Sequence, residues 1–203
     1  YLLNLIGANI NTTPVLDLRL KGSSKIIGDR SYSENPKIVS KIGDYCIKNY
    51  HENGIGTVIK HIPGHGSAKV DSHFFTPIVN KKKKYLQKKD FISFKKKKAF
   101  FAMTAHIIFS SIDKKNTVTH SKKIINLIRN SIGFKNILIS DDISMKSLKG
   151  DLKDNTINAF KAGCNIILHC NSNLNEMEIV GKNSPFINKF LLKKTSQFYK
   201  ILS

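Results

Sequence analysis

The sequence predicts an α/β fold built on a parallel β-sheet. Short apolar segments rich in β-branched residues alternate with longer segments of helical periodicity, and this alternation is typical of βαβ units. Of the 203 residues, 40% are hydrophobic, and no internal repeat or low-complexity linker divides the chain. A chain of this size buries one core. We therefore expect a single domain that spans residues 1–203.

Five segments have the composition of strands. Each is short and apolar, and each is followed by polar, glycine or proline residues, as buried strands of a parallel sheet are. In chain order the predicted strands are Asn11–Leu16, Thr57–His61, Phe100–His106, Ile137–Asp141 and Asn165–His169.

Helical periodicity fills the segments between these strands. Pro36 suits the first turn of a helix and Gly54 its end, while Ser121 is a candidate N-cap for a helix that stops at Gly133. A last amphipathic helix is predicted from Ser184 to Ser203, with Phe186, Ile187, Phe190 and Leu191 on its apolar face. The other predicted helices are Pro36–Asn53, Tyr85–Phe94, Ser121–Ile132 and Asp154–Ala162.

The basic composition does not indicate a nucleic-acid partner. Of 34 basic residues only Arg19, Arg30 and Arg129 are arginines, which leaves 31 lysines, whereas readers of phosphates and bases favour the bidentate arginine fork. No run of 18 apolar residues predicts a membrane span. The three cysteines lack metal-site spacing and favour reduced thiols in a cytoplasm. A nucleic-acid-binding module stays open as a third alternative.

Polar residues gather where the predicted strands end. KHIPGHG, AH, SDD and HCN each follow an apolar strand, and ligands of parallel α/β folds bind at the carboxyl ends of strands. Asp141 ends one strand and is a candidate nucleophile, metal ligand or general base. Its neighbour Asp142 is interpreted as a cap of the following helix.

The segment from 60 to 73, KHIPGHGSAKVDSH, carries a second group of reactive side chains. Lys60 and His61 end a strand, where they can hydrogen-bond ligand hydroxyls. Asp71 and His73 are two residues apart, so an extended segment places both on one face. A carboxylate beside an imidazole fixes its tautomer, as a proton shuttle requires.

These motifs resemble those of glycoside hydrolase family 3. VIKHIPGHGSAKVDSHFFTP, AMTAHIIFSSID, ILISDDISM and AGCNIILHCN match consecutive motifs of its bacterial β-N-acetylhexosaminidases, and PVLDL and IGDRSY match two earlier ones. The resemblance implies a (β/α)8 TIM barrel. It also implies a retaining glycosidase that removes terminal β-1,4-linked N-acetylglucosamine from muropeptides during cytoplasmic peptidoglycan recycling, as a monomer when complete and without a metal or another cofactor.

The resemblance also implies a role for each matching residue. A retaining enzyme needs a nucleophile and a proton donor that later acts as base, and the ordinary histidine pKa of about 6.5 suits that exchange. The implied set is Asp141 as nucleophile, His73 as general acid/base, Asp71 to orient His73, and Arg30, Lys60 and His61 to bind the sugar, with His65 and His106 as structural supports.

The relatives carry early barrel strands and an Asp-Gln-Glu-Gly-Gly segment ahead of the position of Tyr1. The barrel is therefore expected to be incomplete, with Val15 and Leu16 facing a gap. Residues 1–203 alone are expected to aggregate or to remain partly unfolded, and to show no glycosidase activity. Two alternatives stay open: an eroded, inactive remnant of such an enzyme, and a metal-dependent hydrolase that uses the histidines and aspartates of the same barrel.

Overall fold

The computed structural model describes residues 2–202 as seven strands and seven α-helices. The strands are β1 Ile10–Asn11, β2 Gly56–Ile62, β3 Ile78–Val79, β4 Phe101–Thr104, β5 Ile108–Phe109, β6 Ile137–Asp142 and β7 Ile166–Leu168. The helices are α1 Leu2–Leu5, α2 Pro36–Glu52, α3 Lys83–Lys88, α4 Lys122–Leu127, α5 Leu152–Ala162, α6 Leu174–Lys182 and α7 Lys189–Tyr199. Three 3-10 turns lie at Gly28–Arg30, Ile92–Phe94 and Val118–His120, and a π-helical turn follows α4 at Ile128–Ile132.

The main sheet has five strands, all parallel, in the order β1-β2-β4-β6-β7. This arrangement confirms the predicted parallel α/β fold, since every predicted strand contributes to it. A second, two-stranded parallel sheet pairs β3 with β5. This sheet was not predicted, because each of its strands is only two residues long and shows no periodicity.

Alternate residues of the main sheet face two different apolar layers. Ile59, Ala102 and Leu138 belong to the larger cluster, which also contains apolar residues of α2, α4 and α5. Helices thus cover the outer face of the sheet. Side chains on the inner face form a second cluster, which includes Val58, Phe101, Met103 and Ile137.

Helix α7 covers the inner face. Leu191 and Phe198 of α7 are buried in the inner cluster, and the Phe198 ring lies 5.3 Å from the Phe101 ring between centroids. Gly56, at the start of β2, makes this approach possible: a Cβ built there would lie 2.5 Å from the Phe198 ring. The last helix therefore packs inside the curve of the sheet rather than among the outer helices.

The prediction for the carboxyl-terminal segment was wrong in its limits and in its apolar face. Phe186 and Ile187 precede α7 and are 100% and 62% exposed, because Asn188 caps the helix by accepting from the Leu191 N–H and so delays its start. The preceding helix α6, with Asn173 as its N-cap, was not predicted. Ser203 of the predicted helix lies outside the described residues.

The first predicted strand is shorter than expected. Pro14 has no N–H to give to a ladder, so β1 ends at Asn11 and Val15 joins the sheet only through an isolated bridge to Lys60. The expectation that Val15 and Leu16 face a gap was wrong, since they are 7% and 0% exposed. That removes one reason to expect aggregation of residues 1–203, which stays a prediction.

Two predicted helices are interrupted. The segment predicted as Tyr85–Phe94 is α3 followed by a 3-10 turn, and between them the buried Asp90 accepts hydrogen bonds from the Ser67 N–H and hydroxyl. The segment predicted as Ser121–Ile132 widens into a π-helical turn before Gly133 ends it in a left-handed conformation. No helix within residues 2–202 has the length and apolar character needed to cross a membrane.

Candidate active site

The carboxyl ends of β2 and β6 bring Lys60, His61 and Asp141 together. Lys60 and His61 lie near the end of β2, and Asp141 lies near the end of β6. His61 Nε2 is 3.9 Å from Asp141 Oδ2. Alternation along the strands places Lys60 and Asp141 on the same inner face as Val58 and Ile137, above the layer that α7 covers.

A buried carboxylate, Asp17, holds His61 in place. Its Oδ2 accepts a hydrogen bond from His61 Nδ1 at 2.6 Å, and its two oxygens also face the His61 backbone N–H. Oδ1 accepts from the His65 N–H at 2.6 Å. Burial acts to raise the pKa of Asp17, but the interactions with His61 and His65 outweigh it and hold that pKa below its usual value. The charged Asp17 therefore directs His61 Nε2 towards Asp141.

Asp141 is a charged and nearly buried carboxylate. Burial acts to raise its pKa, but His61, His106, the Asp142 N–H and Lys60 together lower it below the usual value. Its side chain is 18% exposed, so one edge stays accessible. An ionised, accessible carboxylate surrounded by cationic or polar groups has the properties of a nucleophile at neutral pH.

Asp142 has a structural role, although not the one expected. It accepts hydrogen bonds from the Ser144 N–H, the Ser144 hydroxyl and the Cys170 N–H, which fixes the turn after β6 and ties it to the end of β7. The helix cap expected at Asp142 lies instead at Asp151, which accepts from the Asp154 N–H at the start of α5.

Asp71 and His73 form a hydrogen-bonded pair, as predicted, but the segment that carries them is a turn and not the extended segment on which the prediction rested. Asp71 Oδ1 accepts from His73 Nδ1 and from the His73 N–H, each at 2.8 Å. Burial acts to raise the pKa of Asp71, but the hydrogen bonds from His73 outweigh it and lower that pKa. The pair is fairly open, with the His73 side chain 53% exposed. Because Nδ1 faces Asp71, Nε2 is the ring nitrogen that can exchange a proton with a ligand.

Lys60 supplies positive charge beside Asp141, and Arg30 lies close to Lys60. Burial is the main cause that lowers the pKa of Lys60, and the Arg30 charge lowers it further, which indicates that the two cations are close. Lys60 Nζ donates to the Thr12 hydroxyl at 3.4 Å, whereas Arg30 donates to the carbonyl of Ile26 in its own turn. Arg30 is thus placed by a local turn and makes no direct contact with Asp141 among the described residues.

His65 and His106 are buried beneath these groups. His106 donates from Nε2 to the Asp142 carbonyl at 3.0 Å and accepts at Nδ1 from the Thr119 hydroxyl at 2.7 Å. Burial, above all, lowers the pKa of His106 and brings that of His65 to about 4. Both rings are therefore neutral near pH 7, and their contacts are those of structural supports.

No group of three or more His, Cys, Asp or Glu side chains within residues 2–202 is arranged to hold a metal ion. The thiols of Cys46, Cys164 and Cys170 are free.

Residues 3–185 match the family described as the glycosyl hydrolase family 3 N terminal domain. The chain belongs to this family. A beta-hexosaminidase of Nitrosomonas eutropha is 33% identical to it over 174 residues, which are 83% of this chain and 50% of that protein. The chain thus spans about half the length of this curated relative.

Solved structures agree with this assignment. Native NagZ from Neisseria gonorrhoeae superposes with a TM-score of 0.85 at 30% identity, over 97% of this chain and 57% of that one. The complex of the same NagZ with N-trifluoroacetyl-D-glucosamine has a TM-score of 0.85 at 28% identity, over the same shares of both chains. The five parallel strands are accordingly part of a (β/α)8 barrel that is incomplete in this chain. This confirms the predicted fold class and the resemblance.

Sequence reasoning missed one residue that organises this family 3 site. PVLDL was recognised as a motif, yet Asp17 within it received no role. The available signal was a carboxylate flanked by Leu16 and Leu18, which are both fully buried. A buried charge requires partners, and Asp17 finds them in the backbone and ring of His61 and the backbone of His65.

Proposed function

We propose that the protein containing this chain is a retaining β-N-acetylhexosaminidase of family 3 that removes terminal N-acetylglucosamine from muropeptides in the cytoplasm. The observation that carries the proposal is the ionised Asp141, held 3.9 Å from His61 Nε2, together with a separate Asp71–His73 pair on a loop. The beta-hexosaminidase and NagZ relatives support the substrate class.

In the proposed reaction, Asp141 attacks the anomeric carbon and forms a glycosyl-enzyme. The bond to the leaving oxygen breaks as His73 Nε2 donates its proton to that oxygen. A water molecule then enters, gives a proton back to His73, and attacks the anomeric carbon, which releases the sugar and restores the Asp141 carboxylate. Asp71 fixes the His73 tautomer in both steps.

The sugar itself is assigned to the cationic side of the site. Lys60 presents N–H groups and His61 presents Nε2 beside Asp141, where they can form hydrogen bonds with sugar hydroxyls, and Arg30 adds positive charge near Lys60. His61 is pre-oriented by Asp17, so its hydrogen bond to the sugar costs little conformational entropy.

The test is the hydrolysis of an aryl β-N-acetylglucosaminide by the full-length gene product. Asp141→Ala is expected to abolish turnover, since it removes the carboxylate that forms the glycosyl-enzyme in the proposed reaction. Asp151→Asn is the matched control: it changes an exposed carboxylate that caps α5, and asparagine caps equally well. Near-normal turnover of Asp141→Ala would remove that residue from the mechanism. A wild-type protein that is folded but inactive would favour the eroded-remnant alternative.

A further inference from the structure

The segment that carries Asp71 and His73 has both exposed and buried side chains. The side chains of Asp71 and His73 are 32% and 53% exposed, whereas Ser72 between them is only 4% exposed. Residues 72–74 form a turn, closed by the Phe74 and Phe75 N–H groups on the Asp71 carbonyl, and this turn presents the pair outward and Ser72 inward. What Ser72 contacts therefore decides how firmly the pair is placed.

Ser72 contacts a histidine that is itself rigidly held. Its hydroxyl lies 3.2 Å from His65 Nε2, and both groups are buried. His65 is fixed in turn because its backbone N–H donates to Asp17 Oδ1 at 2.6 Å. The His65 ring is neutral near pH 7, since burial and the charge of His61 bring its pKa to about 4. The His65 ring can therefore form a hydrogen bond between uncharged groups with the Ser72 hydroxyl.

Asp17 links this contact to the nucleophile. The same carboxylate that receives the His65 N–H receives His61 Nδ1, and His61 Nε2 is 3.9 Å from Asp141. The far end of the segment is attached separately, where the Thr76 hydroxyl donates to the Ser147 carbonyl at 2.6 Å. The segment that carries Asp71 and His73 is thus attached at two places. Ser72 contacts His65, which follows β2, and Thr76 contacts Ser147, which follows β6.

We propose that the His65–Ser72 contact is a latch that positions the Asp71–His73 pair over the site. This inference rests on the proposed function of that pair. His65 and Ser72 are positioning residues, since neither is placed to touch the reacting atoms. Loss of the latch leaves the pair hydrogen-bonded internally, and the loop is then attached through Ala68, whose carbonyl accepts from the Ser24 N–H, and through Thr76.

Ser72→Ala tests the latch in the full-length gene product, because it removes the hydroxyl and little else. For N-acetylglucosaminides with poor leaving groups we expect kcat to fall about tenfold or more, since proton donation depends on where His73 stands, while activated aryl substrates lose less than about threefold. KM is expected to change little for either. Ser67→Ala is the matched control, because that hydroxyl binds Asp90 rather than the latch.

Amide hydrogen exchange gives a second readout that needs no activity. The N–H groups of His73, Phe74 and Phe75 donate to Asp71, and in Ser72→Ala they should exchange about tenfold faster, with β2 and β6 unchanged. Unchanged exchange of residues 71–76, or equal losses for both substrate types, would overturn the latch. If the wild-type protein cleaves no N-acetylglucosaminide, the proposed function fails, and the exchange comparison still decides the latch.

Discussion

Replacement of Phe198 by alanine should destabilise the protein strongly, because that ring fills the inner face of the sheet. Phe198 is 5% exposed, and its ring lies 5.5 Å from Phe100 and 5.3 Å from Phe101 in edge-to-face contacts. Truncation of a buried phenylalanine costs about 3–5 kcal/mol. Since domains are stable by only about 5–15 kcal/mol, the variant should lose a large part of its free energy of unfolding.

The matched control is Phe186→Ala, twelve positions earlier in the same carboxyl-terminal segment, where the side chain is 100% exposed and the change should stay within about 0.5 kcal/mol. Urea denaturation of the full-length gene product at neutral pH, followed by circular dichroism, measures both variants. Gly56→Ala gives an independent check, because the new methyl group would press on the Phe198 ring. A loss below about 1 kcal/mol for Phe198→Ala, or equal losses for the two phenylalanines, would show that α7 does not cover the inner face.

Two further outcomes are expected. His73→Ala should slow substrates with poor leaving groups far more than activated aryl glycosides, and Asp71→Asn should do so to a smaller extent; equal losses on both substrate types would make His73 a binding residue. Burial is the main cause that lowers the pKa values of His65 and His120 to about 4. The free energy of unfolding should therefore decrease at acidic pH. The folded rings stay neutral while unfolded ones take up protons near pH 6.5, so the free energy of unfolding should have its full value above about pH 6.5. It should fall towards pH 4 by up to about 3 kcal/mol per histidine. A urea midpoint that stays constant from pH 7 to pH 4 would contradict this account.

The strand ends were predictable because hydrophobic pattern and chemistry coincide there. Apolar strands such as Ile137–Asp141 have a clear composition, and a parallel sheet requires their carboxyl ends to meet at one edge. That rule alone brings Asp141 and His61 together, as the structure shows. The Asp71–His73 contact was also predicted, although a turn makes it rather than the extended segment that the spacing argument assumed.

Other features depend on tertiary contacts that no local pattern reveals. Asp90 lies at the break between α3 and the next 3-10 turn. Its hydrogen-bond partner, Ser67, is distant in the sequence. The apolar side chains of Phe186 and Leu191 look alike in sequence, yet one is fully exposed and the other is buried against the sheet. The start of α7 at the Asn188 cap separates them, and the position of the inner face decides which of the two side chains is buried.

The most direct test of the account is to identify the residue that carries the glycosyl-enzyme. The full-length gene product would be incubated with a fluorinated N-acetylglucosaminyl substrate that has a good leaving group, so that the intermediate forms quickly and hydrolyses slowly. Peptide mass spectrometry then locates the sugar. The account predicts one added fluorinated N-acetylglucosaminyl group on Asp141, absent from Asp141→Ala and still present in Asp71→Asn. A label on another residue, or turnover with inversion at the anomeric carbon and no label at all, would contradict it.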